Sequence, residues 1–576
     1  MHSIPASEVV HRRGAKRVAA LAPAQVLQVT VVLRPLNPEA HAPVIHPPGW
    51  HPAMFATPDR AEFEQRYDPG EEAFAAVERF AIHHGLRVVS RSRVRHDVIL
   101  EGPAGAMERA FGVSLHRFAS EAGSYHGHDG PVRIPRELAP AVDGVLGLDS
   151  VPLHTPRAGL TGTAPRYTPG QLAEHYRFPA QDSSALTIGL LQFGGGYRRD
   201  DLTEFARRLG LSLPPIRDIE VAGGGGTHGR NAPLPADEMR RIAMAWQEAA
   251  SLVDFAKAAG GSFNDFLGSM EVTMDLELAA ALGGGASVAV YFAPPGSDGW
   301  RRALYEVVGE GYAAGPPVAP LPAVLSVSWS ECECAFGAED LRLIHNALTA
   351  VARKGVTIVC SSGDWGSAGD WHPSVAPPAN VHFPASSPAV IACGGTAIAE
   401  RAGSATDLAW RGTMLGVPVA TGGGMSGFFP RPAFQASLVC PTGKGTWLAD
   451  PAAQLAGRWL PDVAANAAFE SGVHLVVGGQ DLAGGGTSAA TPIWASLLVR
   501  IQAVLGHPLA GLNHWLYDQG PAGGCRDVVS GNNDITNGKV VSYQAGPGWD
   551  PCTGFGAPDG EALLARLREH PEADPS

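Results

Sequence analysis

The chain has no Cys-x-x-Cys pair, no run of 18 or more apolar residues and no excess of basic charge. Its seven cysteines, an odd number, stand singly apart from Cys332 and Cys334. That spacing argues against a zinc site or a dense disulfide framework and leaves room for one bridge. Without a long apolar run, no membrane span is expected. The formal net charge of −13 argues against nucleic acid, whose phosphates require a basic face. No clear export signal opens the chain. Basic Arg12, Arg13, Lys16 and Arg17 precede Val18–Leu27, but Pro23 and Gln25 interrupt that stretch, which runs on into strand-like alternation.

What is present is a large globular chain, 576 residues with 45% hydrophobic and 17% charged side chains, enough for one large and one smaller domain. Residues 26–33 read as a strand and 71–84 as a helix with Phe74, Val77 and Ala81 on one face. Strands at 86–91 and 97–101, a helix at 103–111 and a strand near 112–118 complete a β-α-β-β-α-β, ferredoxin-like α+β order. The Pro-, Thr- and Gly-rich stretch 154–166 reads as an exposed linker. From Tyr167 the pattern changes. Apolar strands at Leu186–Phe193, Ser287–Phe292, Ala323–Ser328 and Val356–Cys360 alternate with helices, which predicts an α/β domain over 167–566 with a parallel sheet flanked by helices. Sites in such sheets gather at the carboxyl ends of strands. Residues 567–576 read as a solvated tail.

Four residues carry candidate chemistry. Ser488 follows Gly-Gly-Gly-Thr and opens a helix over 489–504, so its hydroxyl meets the dipole's positive end. Read alone, it is equally an ordinary helix cap. No histidine stands in a context to serve as its base. Glu271 and Asp275 are four apart on a helix that is apolar nearly all round, which predicts two buried carboxyls on one face. Buried acids share a proton or find partners. Asp364, in Ser-Ser-Gly-Asp, follows the strand 356–360. It is either a turn former or, if protonated, a hydrogen-bond donor to an oxyanion.

The chain resembles the kumamolisin-type sedolisins, the serine-carboxyl peptidases, over essentially its whole length. The resemblance runs through Tyr-Thr-Pro-Gly-Gln-Leu-Ala-Glu-His-Tyr (167–176), Phe-Gly-Gly-Gly-Tyr (193–197), Ser-Val-Ser-Trp (326–329), Ser-Ser-Gly-Asp (361–364), His-Phe-Pro-Ala-Ser-Ser-Pro (382–388), Gly-Gly-Thr-Ser (485–488) and Ala-Gly-Pro-Gly-Trp-Asp-Pro-Cys-Thr-Gly (545–554). It implies a subtilisin-like catalytic fold behind an amino-terminal propeptide, residues 1–153, that is removed autocatalytically within the linker. It implies Ser488 as nucleophile, Glu271 as general base, Asp275 as the partner holding Glu271's proton and Asp364 as oxyanion donor. Such a site works in acid, because a carboxylate base acts best near its own pKa and Asp364 must keep its proton. Kumamolisin-like relatives can carry a glutamate that extends the carboxyl network beside a tryptophan. Here Trp329 is present, but the corresponding strand position holds Gln192.

The resemblance also implies one structural Ca2+. Asp527 and Asp550 would give carboxylates, and Val528, Gly546 and Gly548 main-chain carbonyls. By composition alone the same residues form a polar loop. Peptide or protein substrates, the propeptide as intramolecular inhibitor, a monomer and a secreted location are expected on the same ground. Residues 223–268 look inserted relative to the family pattern, with a helix over Asp237–Ala259 whose stripe is Ile242, Trp246, Ala249 and Val253. This insertion packs on the surface, or flanks the cleft or docks the propeptide. His382 and Trp365 are candidates to line substrate subsites. Twelve of the 21 histidines fall within 1–154, which suggests acid-timed release of the propeptide. Two alternatives stay open: an Asp-His-Ser subtilisin using His228, and a non-catalytic binding protein on the same fold.

Overall fold

The structure, a computed structural model, describes residues 1–12, 14–42, 46, 50–120, 123–153, 159–161, 167–223, 229–311, 319–369, 380–401, 404–438 and 456–569. In the amino-terminal region, β1 (Val26–Leu33), α1 (Glu71–His84), β2 (Arg87–Ser92), β3 (Asp97–Pro103) and α2 (Ala104–Phe111) form where periodicity places them. Phe74, Val77 and Ala81 of α1 are buried, and Gly85 ends the helix in the left-handed conformation that spares glycine a Cβ clash.

One expectation is corrected. The strand near 112–118 forms as β4 (Ser114–Ser120), but it pairs with Lys16–Ala20 and Gly123–Asp129 in a separate three-stranded sheet. The fourth strand of the main sheet is β5 (Val142–Leu146), giving the antiparallel order β2-β3-β1-β5. The short hairpin after β4 offers it a local partner, while Val142, Val145 and Leu146 of β5 bury their side chains. The ferredoxin-like topology survives with an inserted hairpin.

The second domain is built on β6 (Thr187–Gln192), β7 (Ile216–Glu220), α3 (Phe263–Leu282), β8 (Ser287–Phe292), α4 (Ser297–Val307), β9 (Val324–Val327), α5 (Ala338–Arg353), β10 (Thr357–Ser361), β11 (Ile391–Arg401), β12 (Ser404–Ala409), β13 (Val463–Asn466), β14 (Gln480–Gly485) and α6 (Thr487–Leu505). The sheet order is β7-β8-β6-β9-β10-β11-β12, parallel except for the antiparallel edge strand β12, and β13 also pairs with β11. Chain order reverses about β6, so the carboxyl ends of β6, β9 and β10 surround a switch point. Helices α3 and α6 pack on each other and against these strands. By length and composition α6 would pass for a membrane span, yet it is the core helix of the domain, with Ser488 to Val499 all buried.

The expected helix over Asp237–Ala259 is two helices, Ala236–Glu248 and Leu252–Ala259. Ser251 caps the second one, taking a hydrogen bond from the Asp254 N–H, and this break turns Val253 to solvent at 63% exposure. Trp246 packs against Phe255 and Phe266, so the pair rests on the start of α3, and the helix Ala236–Glu248 also lies against the strand Gly159–Thr161. Cys332 and Cys334 form a disulfide.

Candidate active site

Ser488 sits in the first turn of α6 because Gly486, at φ +88°, turns the chain from β14 into the helix. Its hydroxyl donates to the Ser328 carbonyl oxygen at 3.3 Å. Among the described residues, no histidine bonds to it; His228 lies outside those residues. Asp364 reaches the same helix end from the loop after β10. Its Oδ1 accepts the Thr487 N–H at 2.8 Å and the Thr487 hydroxyl at 2.7 Å, while the Gly363 N–H donates to that hydroxyl oxygen at 3.1 Å. Gly363 has φ +95°, and a Cβ there would lie 2.5 Å from the His382 ring. His382 is therefore not a subsite lining. It is buried beneath the loop, with its Nε2 3.0 Å from the Gly369 carbonyl and its Nδ1 3.0 Å from Ser330 Oγ. Trp365 is partly exposed and pairs its backbone with Ala420 beside the loop.

Glu271 and Asp275 are both fully buried on α3, one turn apart. The loop after β6 lies directly on this helix: a Cβ on Gly195 would come within 2.2 Å of the Gly268 carbonyl carbon. Asp275 Oδ1 accepts the Ser328 hydroxyl at 2.8 Å, and Oδ2 accepts the Gln192 amide at 2.7 Å. Trp329 Nε1 donates to Gln192 Oε1 at 2.6 Å. Ser328 Oγ is also 3.2 Å from the Ser488 carbonyl oxygen. Burial pushes Asp275 up to about 7, against the opposing pull of its Ser328 and Gln192 donors.

Ser328 and Thr487 were not among the candidate residues. Their signal was positional: Ser328 stands just past the carboxyl end of β9, and Thr487 precedes the candidate nucleophile. A third buried acid on α3, Glu277, accepts the Val476 N–H at 3.0 Å through Oε2 and faces away from this group.

Of the expected calcium ligands Asp527, Val528, Gly546, Gly548 and Asp550, hydrogen bonds join Gly548 to Asp527 and Gly546 to Asp550, and Val528 is buried. The Gly548 N–H donates to Asp527 Oδ2 at 2.8 Å, and the Gly546 N–H to Asp550 Oδ2 at 3.2 Å. Asp550 Oδ1 takes the N–H groups of Cys552 and Thr553 at 2.8 and 3.0 Å. Burial still pushes Asp550 up to about 6. No cluster of three or more His, Cys, Asp or Glu suited to a metal occurs among the described residues. A cation here would rest on two carboxylates and main-chain carbonyls, a hard-oxygen set that fits calcium and not zinc.

Comparison with known proteins agrees with this geometry. Residues 13–151 match the pro-kumamolisin activation domain. The chain is 34% identical to kumamolisin from Bacillus sp. (strain MN-32) over 94% of this chain and 92% of that protein. It is 26% identical to sedolisin from Pseudomonas sp. (strain 101), covering 89% of this chain and 81% of that one. The solved Pseudomonas sedolisin, described as a serine-carboxyl proteinase, superposes with a TM-score of 0.55 at 25% identity, covering 70% of this chain and 99% of its own. The chain belongs to the sedolisin family of serine-carboxyl peptidases, and it is a serine-type peptidase preceded by a pro-kumamolisin-type activation domain.

Proposed function

We propose that this chain is the zymogen of an acid-acting endopeptidase whose nucleophile is Ser488, whose base pair is Glu271 and Asp275, and whose oxyanion donor is Asp364. The observation that carries the reading is convergence on one helix end. Ser488 and the Asp364 carboxyl meet at the start of α6, and Ser328 links the Ser488 backbone to Asp275. The hydroxyl of Ser488 attacks the scissile carbonyl carbon as its proton passes to Glu271, with Asp275 sharing that proton. Both Thr487 donors reach Asp364 Oδ1, so a proton on this carboxyl belongs on Oδ2, from which it can bond the tetrahedral oxyanion. Collapse expels the amine with the proton from Glu271, and water hydrolyses the acyl-enzyme by the same route.

Maturation is autocatalytic and cuts within the linker 154–166. In support, Gly159–Thr161 lies antiparallel on β14, with Gly159 opposite Gly485, three residues before Ser488. From Gly159 to Thr161 the segment runs away from the Ser488 end of β14. Until cut, residues 1–153 act as an intramolecular inhibitor. The Asp527–Asp550 loop holds one structural Ca2+, whose charge offsets the buried Asp550 and pins the loop to the body of the enzyme. The mature protein is a secreted monomer acting on peptide or protein substrates. The test is incubation of the full-length protein at about pH 4. Loss of roughly the first 150–170 residues, blocked in Ser488→Ala, is expected; a chain that stays intact, or a variant that still matures, contradicts the reading.

A further inference from the structure

Two hydrogen bonds fix which end of the Gln192 amide faces Asp275. An indole N–H can only donate, so the Gln192 atom 2.6 Å from Trp329 Nε1 is the carbonyl oxygen. The opposite end is then the NH2 group, and it donates to Asp275 Oδ2 at 2.7 Å. Gln192, Trp329 and Asp275 are all buried, so water does not compete for these bonds. The groups around Asp275 are Glu271 on its own helix, Gln192 from β6, Ser328 from the loop after β9 and, through Ser328, the Ser488 peptide of α6. Of these, only Glu271 titrates.

We propose that Gln192 is a positioning residue for the acid–base pair: a donor that never titrates, oriented by Trp329, which holds Asp275 Oδ2 as an acceptor and keeps the mobile proton within the Glu271–Asp275 pair. This rests on the reading of Glu271 and Asp275 as the base pair. A glutamate at position 192 would offer Asp275 the same contact only while protonated, and on losing that proton would place a second anion against it. The amide keeps the contact at every pH and limits the titrating network to two carboxyls.

The experiment compares kcat, KM and their pH profiles for mature enzyme carrying Gln192→Met, Gln192→Glu or Trp329→Phe. Gln192→Met lowers kcat by about tenfold or more at all pH with little change in KM, because Asp275 loses a charge-stabilising donor. It also moves the neutral-side limb of the profile to higher pH, since that donor favours the ionised form. Gln192→Glu recovers kcat in acid, where its carboxyl still donates, and loses it as the pH rises. Trp329→Phe frees the amide to turn over and shifts the same limb as Gln192→Met, by less. A parent-like kcat and profile for Gln192→Met overturns the proposal, as does Gln192→Glu behaving like Gln192→Met at every pH. If Gln192→Met does not fold, a parent-like profile for the near-isosteric Gln192→Glu overturns it alone. Loss of turnover in Ser488→Ala and Glu271→Ala separates failure of this inference from failure of the catalytic reading.

Discussion

Buried carboxyls occur in two settings in this molecule, and their partners differ. Where the amino-terminal domain meets the catalytic domain, Arg301 reaches Asp97 at 2.6 Å, and Arg302 reaches Asp298 at 2.7 Å with the Thr30 hydroxyl opposite. In the active site Asp275 is met by a serine hydroxyl and a carboxamide. A guanidinium stays charged at any working pH, so the interface pairs fix position. Neutral donors satisfy lone pairs without supplying charge, and burial is left free to raise the carboxyl's proton affinity. The same residue type thus serves as a rigid clamp in one place and a proton store in the other.

The largest effects come from breaking the proton store. Ser488→Ala and Glu271→Ala should each lower turnover by about 10^4-fold or more and stop self-processing, read by peptide hydrolysis and gel mobility. Breaking a clamp is next. Arg301→Gln removes the nearer of two guanidinium partners of the buried Asp97, leaving Arg95 at 3.4 Å, and should destabilise the zymogen by about 1–3 kcal/mol in denaturant unfolding on a Ser488→Ala background. Mature enzyme with Arg301→Gln should keep its kcat; a zymogen as stable as the parent would erase the contrast between the two settings. Chelation ranks third. Removing calcium should lower the unfolding temperature, with about 2.7 kcal/mol lost where the ion was at roughly 100 times its dissociation constant. Asp550→Ala should abolish that sensitivity.

The smallest effect concerns histidines that straddle the interface. His46 of the prodomain stacks on Trp50 and lies 4.7 Å from His514, and His51 lies 6.3 Å from His507. Burial pushes His46 and His41 down to about 4 and His514 to about 3, the last with His46 and Arg458 adding repulsion. A lowered histidine pKa means that docking is favoured while the rings are neutral. Its contribution is lost as the pH falls from 6.5 through about 4. Asp149 and Glu339 of the same interface are pushed up to about 7 and about 8 by burial, so their contribution is full below the ordinary values of 3.8 and 4.5 and is lost as the pH rises from there through about 7 and about 8. The two effects therefore oppose each other between about pH 4 and 6.5. His46→Gln with His514→Gln should move the midpoint of maturation about 0.5–1 pH unit towards acid. An unmoved midpoint removes these histidines from the timing.

Much of this arrangement was legible in the sequence. Glu271 and Asp275 declared themselves because a helix apolar on every face leaves an acid nowhere to go but inside. Ser488 and Asp364 stood out through glycine-rich turns at element ends, where backbone geometry demands glycine. Other features depend on contacts that no local pattern encodes. Residues 114–120 alternate like a sheet strand, and only pairing shows that Val142–Leu146 takes the fourth place. The break at 249–251 hides because Ser251 reads equally as a helix residue and as a cap. His382 looked like cleft chemistry, and only the approach of Gly363 reveals it as a prop.

The central claim is that carboxyls, held protonated by burial, run this hydrolysis. The most direct measurement is the pH dependence of kcat/KM for the mature enzyme on a peptide without ionisable groups near the scissile bond. Activity confined to acid and gone above about pH 7, where Asp275 gives up its proton, is the predicted result. Undiminished hydrolysis at about pH 8 would contradict it.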